Sequence, residues 1–93
     1  MTHIKITNLG QHSVQITNFN KTTFDLQPNA ADEFPIGPNQ SLEIIKLSGF
    51  SNNLLQIENQ TPFRLTGHTE TIYPGDKAQL EINLWKFIRA VTK

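Results

Sequence analysis

The sequence predicts an all-β fold, a small antiparallel β-sandwich or barrel of about eight short strands. Three observations carry this. Apolar residues alternate with polar ones in short runs, the period-two pattern of strands with one buried face. Between these runs, Asn, Pro and Gly recur at intervals of about 8–12 residues, the spacing of a chain folded into hairpins. The length of 93 residues fits one domain, residues 1–93, with a single core whose stability is modest unless the chain associates.

In order along the chain, Ile4 and Ile6 form the first alternating pair, closed by Asn8-Leu9-Gly10-Gln11, whose Asn and Gly tolerate the positive φ of tight turns. Val14 and Ile16 open a second strand, and Asn18-Phe19-Asn20-Lys21 is the next turn. Thr22, Phe24 and Leu26 make a third strand that stops at Gln27-Pro28-Asn29, because Pro28 has no N–H for a ladder. Phe34 and Ile36 bracket Pro35, which marks a short edge strand, and Gly37-Pro38-Asn39-Gln40 turns after it. Leu42, Ile44, Ile45 and Leu47 place apolar groups on both parities, so the fifth strand is expected at a sheet centre, covered on part of both faces. Ser48-Gly49-Phe50-Ser51-Asn52-Asn53 is the clearest loop and divides the chain in two.

Past it come Leu55 and Ile57, the turn Asn59-Gln60-Thr61-Pro62, and Phe63 and Leu65, ending at Gly67. Thr69, Thr71 and Tyr73 line one face of a run that ends in Tyr73-Pro74-Gly75-Asp76, a type II turn with Pro second and Gly third. The final segment, Ala78 to Val91, is the longest apolar-rich run and holds the only Trp. Leu80, Ile82 and Leu84 alternate with polar residues, but Trp85 and Phe87 then fall on the parity that had been polar. As one strand the segment is apolar on both faces, and the second face needs a phase-resetting bulge, a further layer or a neighbouring subunit. Leu84, Phe87, Ile88 and Val91 also have the spacing of an amphipathic helix. Without an N-cap or C-terminal Gly, the expectation is a strand continuing to roughly Ile88, with a short C-terminal helical turn as the alternative. The expected core is Ile6, Val14, Ile16, Phe24, Ile44, Ile57, Leu65, Leu80 and Ile82.

The halves echo each other. Ile6-Thr7-Asn8 before Val14-Gln15-Ile16 parallels Ile57-Glu58-Asn59 before Phe63-Arg64-Leu65. Ile36-Gly37-Pro38 before Leu42-Glu43-Ile44 parallels Tyr73-Pro74-Gly75 before Leu80-Glu81-Ile82. Any chain of hairpins with Asn, Pro and Gly at its turns produces such echoes, which is the simpler account; two related sheets facing each other is the other.

Composition excludes several function classes. With no Cys there is no disulfide framework, thiolate zinc site or cysteine nucleophile. Lys plus Arg and Asp plus Glu are 8 each, so no net field draws the chain to nucleic acid or anionic lipid, and near-neutral chains associate readily. No signal peptide opens the sequence, and no run approaches the roughly 20 apolar residues of a membrane span. The expected setting is a virion or the host cytoplasm. His3, His12 and His68 are the possible bases and Ser13, Ser41, Ser48 and Ser51 the possible nucleophiles, but none stands in a nucleophile elbow. No catalytic residue is assigned and no enzyme is expected. The histidines do not form a close pair, and Asp25, Asp32, Glu33 and Asp76 lack the spacing of a calcium loop, so no metal or cofactor is expected.

Trp85, Lys86, Phe87, Arg89 and Lys93 combine rings and cations as single-strand-binding β-barrels do, but the neutral chain favours a core or interface role for the rings. If the last strand runs straight, Trp85 and Phe87 emerge on its outer face beside Ile45 and Leu47. These four are the candidate interface.

With its Ile-x-Asn openings, its Tyr73-Pro74-Gly75-Asp76 turn and its Leu80-Glu81-Ile82 alternation, the chain resembles small Ig-like β-sandwich modules. In its brevity, its richness in Asn and Gln and its lack of Cys it is similar to accessory virion proteins of tailed phages, such as capsid decoration proteins. The resemblance implies a non-enzymatic structural or interaction module, a symmetric homo-oligomer (dimer or trimer) seated on a protein partner such as a capsid shell, with no nucleic-acid or membrane partner. It carries over no site residue. A small intracellular inhibitor or adaptor docking on one host protein, as a phage anti-defence protein would, is the alternative. A single-strand-binding barrel or a hydrolase using His68 or His12 ranks behind both.

Overall fold

The computed structural model describes residues 2–47 and 52–92. Their strands are β1 (His3–Asn8), β2 (Val14–Thr17), β3 (Thr23–Leu26), β4 (Ala31–Pro35), β5 (Ser41–Lys46), β6 (Asn53–Gln60), β7 (Arg64–Thr66), β8 (Thr71–Ile72), β9 (Lys77–Ile82) and β10 (Trp85–Val91). They form a four-stranded sheet, β4-β1-β6-β9, and a six-stranded sheet, β3-β2-β5-β10-β7-β8, with every neighbour antiparallel.

The alternation read from the sequence is what makes two layers. One face of each sheet turns inward: Ile4, Ile6, Phe34, Leu55, Ile57 and Ile82 from the first, Val14, Ile16, Leu42, Ile44, Leu65, Ile88 and Ala90 from the second. Burying each large aliphatic side chain here contributes about 1.5–3 kcal/mol. The expected all-β sandwich is therefore the observed fold. Pro35 does end an edge strand, and β5 does lie inside its sheet, between β2 and β10. In immunoglobulin domains the first two strands pair within one sheet. Here β1 and β2 lie in different sheets, so the likeness to Ig-like modules stops at the layering.

Several expectations are corrected. The described strands number ten rather than about eight, mainly because the long C-terminal run is two strands in opposite sheets. The chain bends at Asn83-Leu84 and crosses from the edge of the four-stranded sheet to the middle of the six-stranded one. The inward parity is kept across the bend, since Leu80 and Ile82 of β9 and Ile88 and Ala90 of β10 are all buried, so Trp85 and Phe87 fall on the outward parity without a bulge. Leu84, on the expected core parity, is 69% exposed in the bend. No helical turn follows; residues 85–91 are strand. Phe24 lies at the rim, 38% exposed, its ring edge-on to Phe34 of the facing sheet at 5.4 Å. Asn8 and Gly10 do not supply a left-handed turn, since among the described residues the positive φ values fall at Lys21, Asn29, Asn39 and Gly75. Of the expected mid-chain loop, residues 48–51 lie outside the described residues, and Asn53 already belongs to β6.

Three turns share one chemistry. In Gln27-Pro28-Asn29-Ala30, Gly37-Pro38-Asn39-Gln40 and Tyr73-Pro74-Gly75-Asp76, the fourth N–H donates to the first carbonyl at 3.0, 3.1 and 3.0 Å. Pro holds φ near −65°, and the third residue has φ of 67°, 63° and 84°, a combination that fits type II alone.

The halves are structurally equivalent. Exchanging β1–β5 for β6–β10 leaves both strand orders unchanged. The pseudo-twofold axis runs between Ile6 and Ile57, which are directly paired, and between Glu43 and Phe87, paired in the other sheet, where Lys46 N–H donates to the Leu84 carbonyl as Ala90 N–H does to that of Gln40. The echo of Ile6-Thr7-Asn8 in Ile57-Glu58-Asn59 is real, but other matches read from the sequence are displaced. Val14 pairs with Leu26 as Leu65 pairs with Ile72, so Leu65, not Phe63, is the counterpart of Val14. The Tyr73-Pro74-Gly75-Asp76 turn answers Gln27-Pro28-Asn29-Ala30: Gly75 donates to the Asn59 carbonyl as Asn29 does to that of Asn8. Nor is each half a sheet. Each gives two strands to one sheet and three to the other.

Candidate interaction surface

β10 lies beside β5 in the middle of the six-stranded sheet and turns Ile88 and Ala90 into the core. Period-two geometry then puts Trp85, Phe87, Arg89 and Val91 on the outer face. Trp85 stands directly opposite Ile45, and Ile45 opposite Gln15 of β2; Phe87 stands opposite Glu43, and Glu43 opposite Thr17. The Trp85 and Phe87 rings are 5.6 Å apart, tilted by 38°. Trp85 and Leu47 are each 47% exposed, and Ile45 and Phe87 are half-buried.

Three of the four expected interface residues, Trp85, Phe87 and Ile45, thus sit side by side, and Leu47 continues the same face of the β5 segment, diagonal to Trp85. Leu84, on the parity expected to face the core, extends the exposed apolar area instead. Only the crossing between sheets reveals this. Glu43, Gln15, Thr17 and Arg89 form the polar surround.

On the inward parity between the two rings, Lys86 is tied to the β7–β8 connection. Its Nζ donates to Glu70 Oε2 at 2.7 Å, and the same oxygen accepts the Thr69 hydroxyl at 3.1 Å. Burial raises the pKa of the Glu70 carboxyl, but hydrogen bonds from Lys86 and Thr69 and the charge of Lys86 outweigh it, holding the group below its ordinary value. A Cβ on Gly67 would lie 2.7 Å from Glu70 Oε1 and 3.1 Å from the Phe87 carbonyl oxygen, so a side chain there would push on the carboxylate that holds Lys86.

Beyond Arg89, an open groove of about 520 Å³ is lined by Phe63, Arg64, Tyr73 and Val91 with Pro62, Pro74 and Thr92. The three histidines fall on separate segments, and only Ser13 of the described serines adjoins one. His3 is in β1, where its Nε2 is 3.4 Å from Glu33 Oε2; His12 precedes β2, and its N–H donates to Asn53 Oδ1; His68 is exposed after β7. Ser13 also precedes β2 and Ser41 begins β5, while Ser48, Ser51 and Lys93 lie outside the described residues. Among the described residues, no group of three or more His, Cys, Asp or Glu side chains is placed to hold a metal ion. Compared with protein-family models, with curated proteins and with solved structures, the chain has no significant match in any of the three.

Proposed function

We propose that this protein is a non-enzymatic interaction module, an oligomeric accessory of a phage virion that grips a protein partner such as the capsid shell with the outer face of its six-stranded sheet. The observation that supports this reading is the adjoining, partly exposed Trp85–Phe87 pair beside Ile45, flanked by Leu47 and Leu84. Neither ring is needed to close the core, because β10 already commits Ile88 and Ala90 to it. A contiguous apolar patch with a polar surround is the anatomy of a binding surface, and aromatic anchors dominate the energetics of such surfaces. The virion setting rests on the compositional resemblance, and a net charge of +0 fits association with protein rather than with nucleic acid.

A solution mass measured beside a pull-down from the native source tests it. The expected result is an oligomer that captures a shell protein, with capture lost on Trp85→Ala while the fold persists. A monomer that captures a host protein through the same face supports the inhibitor or adaptor reading instead. Capture unchanged by Trp85→Ala excludes this face from either role.

A further inference from the structure

The described strands leave four sheet edges, β4 and β9 on one sheet, β3 and β8 on the other. Three are guarded. β4 carries Asp32 and Glu33 and ends in Pro35; β3 has only four residues, Asp25 among them; β8 has only two. Short length, charge and proline are the usual means of blocking edge-to-edge pairing. β9, Lys-Ala-Gln-Leu-Glu-Ile over Lys77–Ile82, has six residues and no proline, and its two charges, Lys77 and Glu81, are opposite in sign and so do not repel an antiparallel second copy.

The phase of its backbone follows from its inner neighbour. Asn59 donates its N–H to the Asp76 carbonyl at 2.9 Å, which fixes which residues of the β6–β9 ladder form hydrogen-bonded pairs. Alternation then assigns Ala78, Leu80 and Ile82 to β6, opposite Ile57, Leu55 and Asn53. The Leu54 carbonyl confirms the phase, since it points the other way, to the N–H of Leu9. The backbone N–H and C=O of Lys77, Gln79 and Glu81 therefore face the open edge.

We infer that β9 is a homodimerisation edge, pairing antiparallel with β9 of a second copy about a twofold axis at Gln79. In this register Gln79 faces Gln79 of the other copy, and Lys77 faces its Glu81 on both sides of the axis. All three outward-facing residues then enter hydrogen-bonded pairs, with two N–H···O bonds per pair. A slip by two residues in either direction loses one pair and sets Gln79 against Glu81 or Lys77. The side chains of Lys77, Gln79 and Glu81 are exposed on the same face, so the two opposite-charge contacts form across strands in the geometry that favours them. Among the described residues the ion pairs within the chain are His3–Glu33 and Lys86–Glu70, so Lys77 is uncommitted. Among the described residues, the only hydrogen bond to the Glu81 carboxylate is a long one, 3.4 Å from Asn52 Nδ2. The result is a continuous eight-stranded sheet that leaves the Trp85 face of each copy open for its partner.

Sedimentation of the full chain across a concentration series at low salt tests the inference. Wild type is expected to dimerise, while Lys77→Glu and Glu81→Lys each weaken the dimer at least about tenfold by placing like charges opposite one another. The double swap K77E/E81K restores it, and an equimolar mixture of the two single variants forms a heterodimer, because every cross-strand contact is then attractive. Gln79→Pro also yields monomers; it removes an outward N–H that no internal bond uses, and circular dichroism checks that the fold persists. A wild type that stays monomeric from micromolar to millimolar concentration overturns the inference, as do single variants that dimerise like wild type. If Trp85→Ala abolishes the dimer and Lys77→Glu does not, the copies join through the aromatic face, which overturns the β9 edge and leaves the proposed function standing.

Discussion

Asn8 and Asn59 occupy the same place in the two halves of the chain, and each uses the full hydrogen-bonding capacity of its side-chain amide. Asn8 Nδ2 donates to the carbonyls of His12 and Leu26 at 2.8 and 2.9 Å, and its Oδ1 accepts from the Gly10 N–H and from Asn53 Nδ2 at 3.0 and 2.8 Å. Asn59 Nδ2 donates to the carbonyls of Phe63 and Ile72 at 2.7 and 2.9 Å, and its Oδ1 accepts from the N–H and the hydroxyl of Thr61 at 2.9 and 2.7 Å. Each amide joins a strand of the four-stranded sheet to an edge strand of the other, β3 or β8. A Cβ at Gly10 would collide with the Asn53 amide, so glycine there makes room for the network.

Asn59→Ala strands the Ile72 carbonyl and the Thr61 N–H in a buried site, leaving the Thr61 hydroxyl to donate to the Phe63 carbonyl alone. The expected loss is about 3 kcal/mol or more. Asn59→Asp should cost at least as much, because a carboxylate oxygen would face the carbonyls of Phe63 and Ile72. Urea unfolding at neutral pH measures both, and a loss below about 1 kcal/mol for the Ala variant would show that water replaces the amide.

The crossing at Asn83-Leu84 makes opposite predictions for residues two apart. Ile82 is fully buried and Leu84 is 69% exposed. Ile82→Ala should cost about 2–5 kcal/mol, and Leu84→Ala less than about 0.5 kcal/mol in the isolated chain. Reversed costs would put Leu84 rather than Ile82 in the core and move the crossing.

Gly75 has a φ of 84° and nothing within 4 Å of where a Cβ would stand, so only the backbone resists a side chain there. Gly75→Ala should destabilise by about 1 kcal/mol, the cost of a left-handed L-residue. At its counterpart Asn29, whose φ is 67°, Gly should be tolerated within about 0.5 kcal/mol. Thermal melts of the two variants suffice to check this.

The Glu70–Lys86 pair links stability to acid. Because the folded-state pKa of Glu70 is held down, the pair's contribution is present above the ordinary glutamate value of about 4.3 and is lost as pH falls through the lower folded value. Glu70→Gln should lower stability at pH 7 by about 1 kcal/mol and flatten the acid limb of the stability curve. A variant whose pH profile keeps the wild-type slope below pH 5 would assign that limb to other carboxylates.

Trp85→Ala should leave the isolated chain folded and weaken partner binding by about 2 kcal/mol or more. The wild-type indole, 47% exposed, should emit at long wavelength in the dilute chain and shift to the blue on binding. Blue-shifted emission without partner, together with unfolding of the Ala variant, would place the ring in the core.

What the sequence determined by itself was local. Period-two alternation at Ile4/Ile6, Val14/Ile16 and Leu80/Ile82 selects one face of each strand because side-chain direction in a strand follows from backbone geometry alone. Pro28-Asn29, Pro38-Asn39 and Pro74-Gly75 encode their turns because the φ preference of each residue does not depend on distant neighbours. Trp85 and Phe87 are legible as outward-facing because they stand on the parity of Gln79, Glu81 and Asn83. Tertiary structure decided the rest. Which sheet a strand joins depends on partners far along the chain, and pairs such as Ile6 with Ile57 or Trp85 with Ile45 leave no mark in either strand's own pattern. So the bend at Asn83-Leu84 looked like an uninterrupted strand, and Asn8 and Asn59 looked like turn formers, because the Leu26 and Ile72 carbonyls they bind arrive only when the two sheets close on one another.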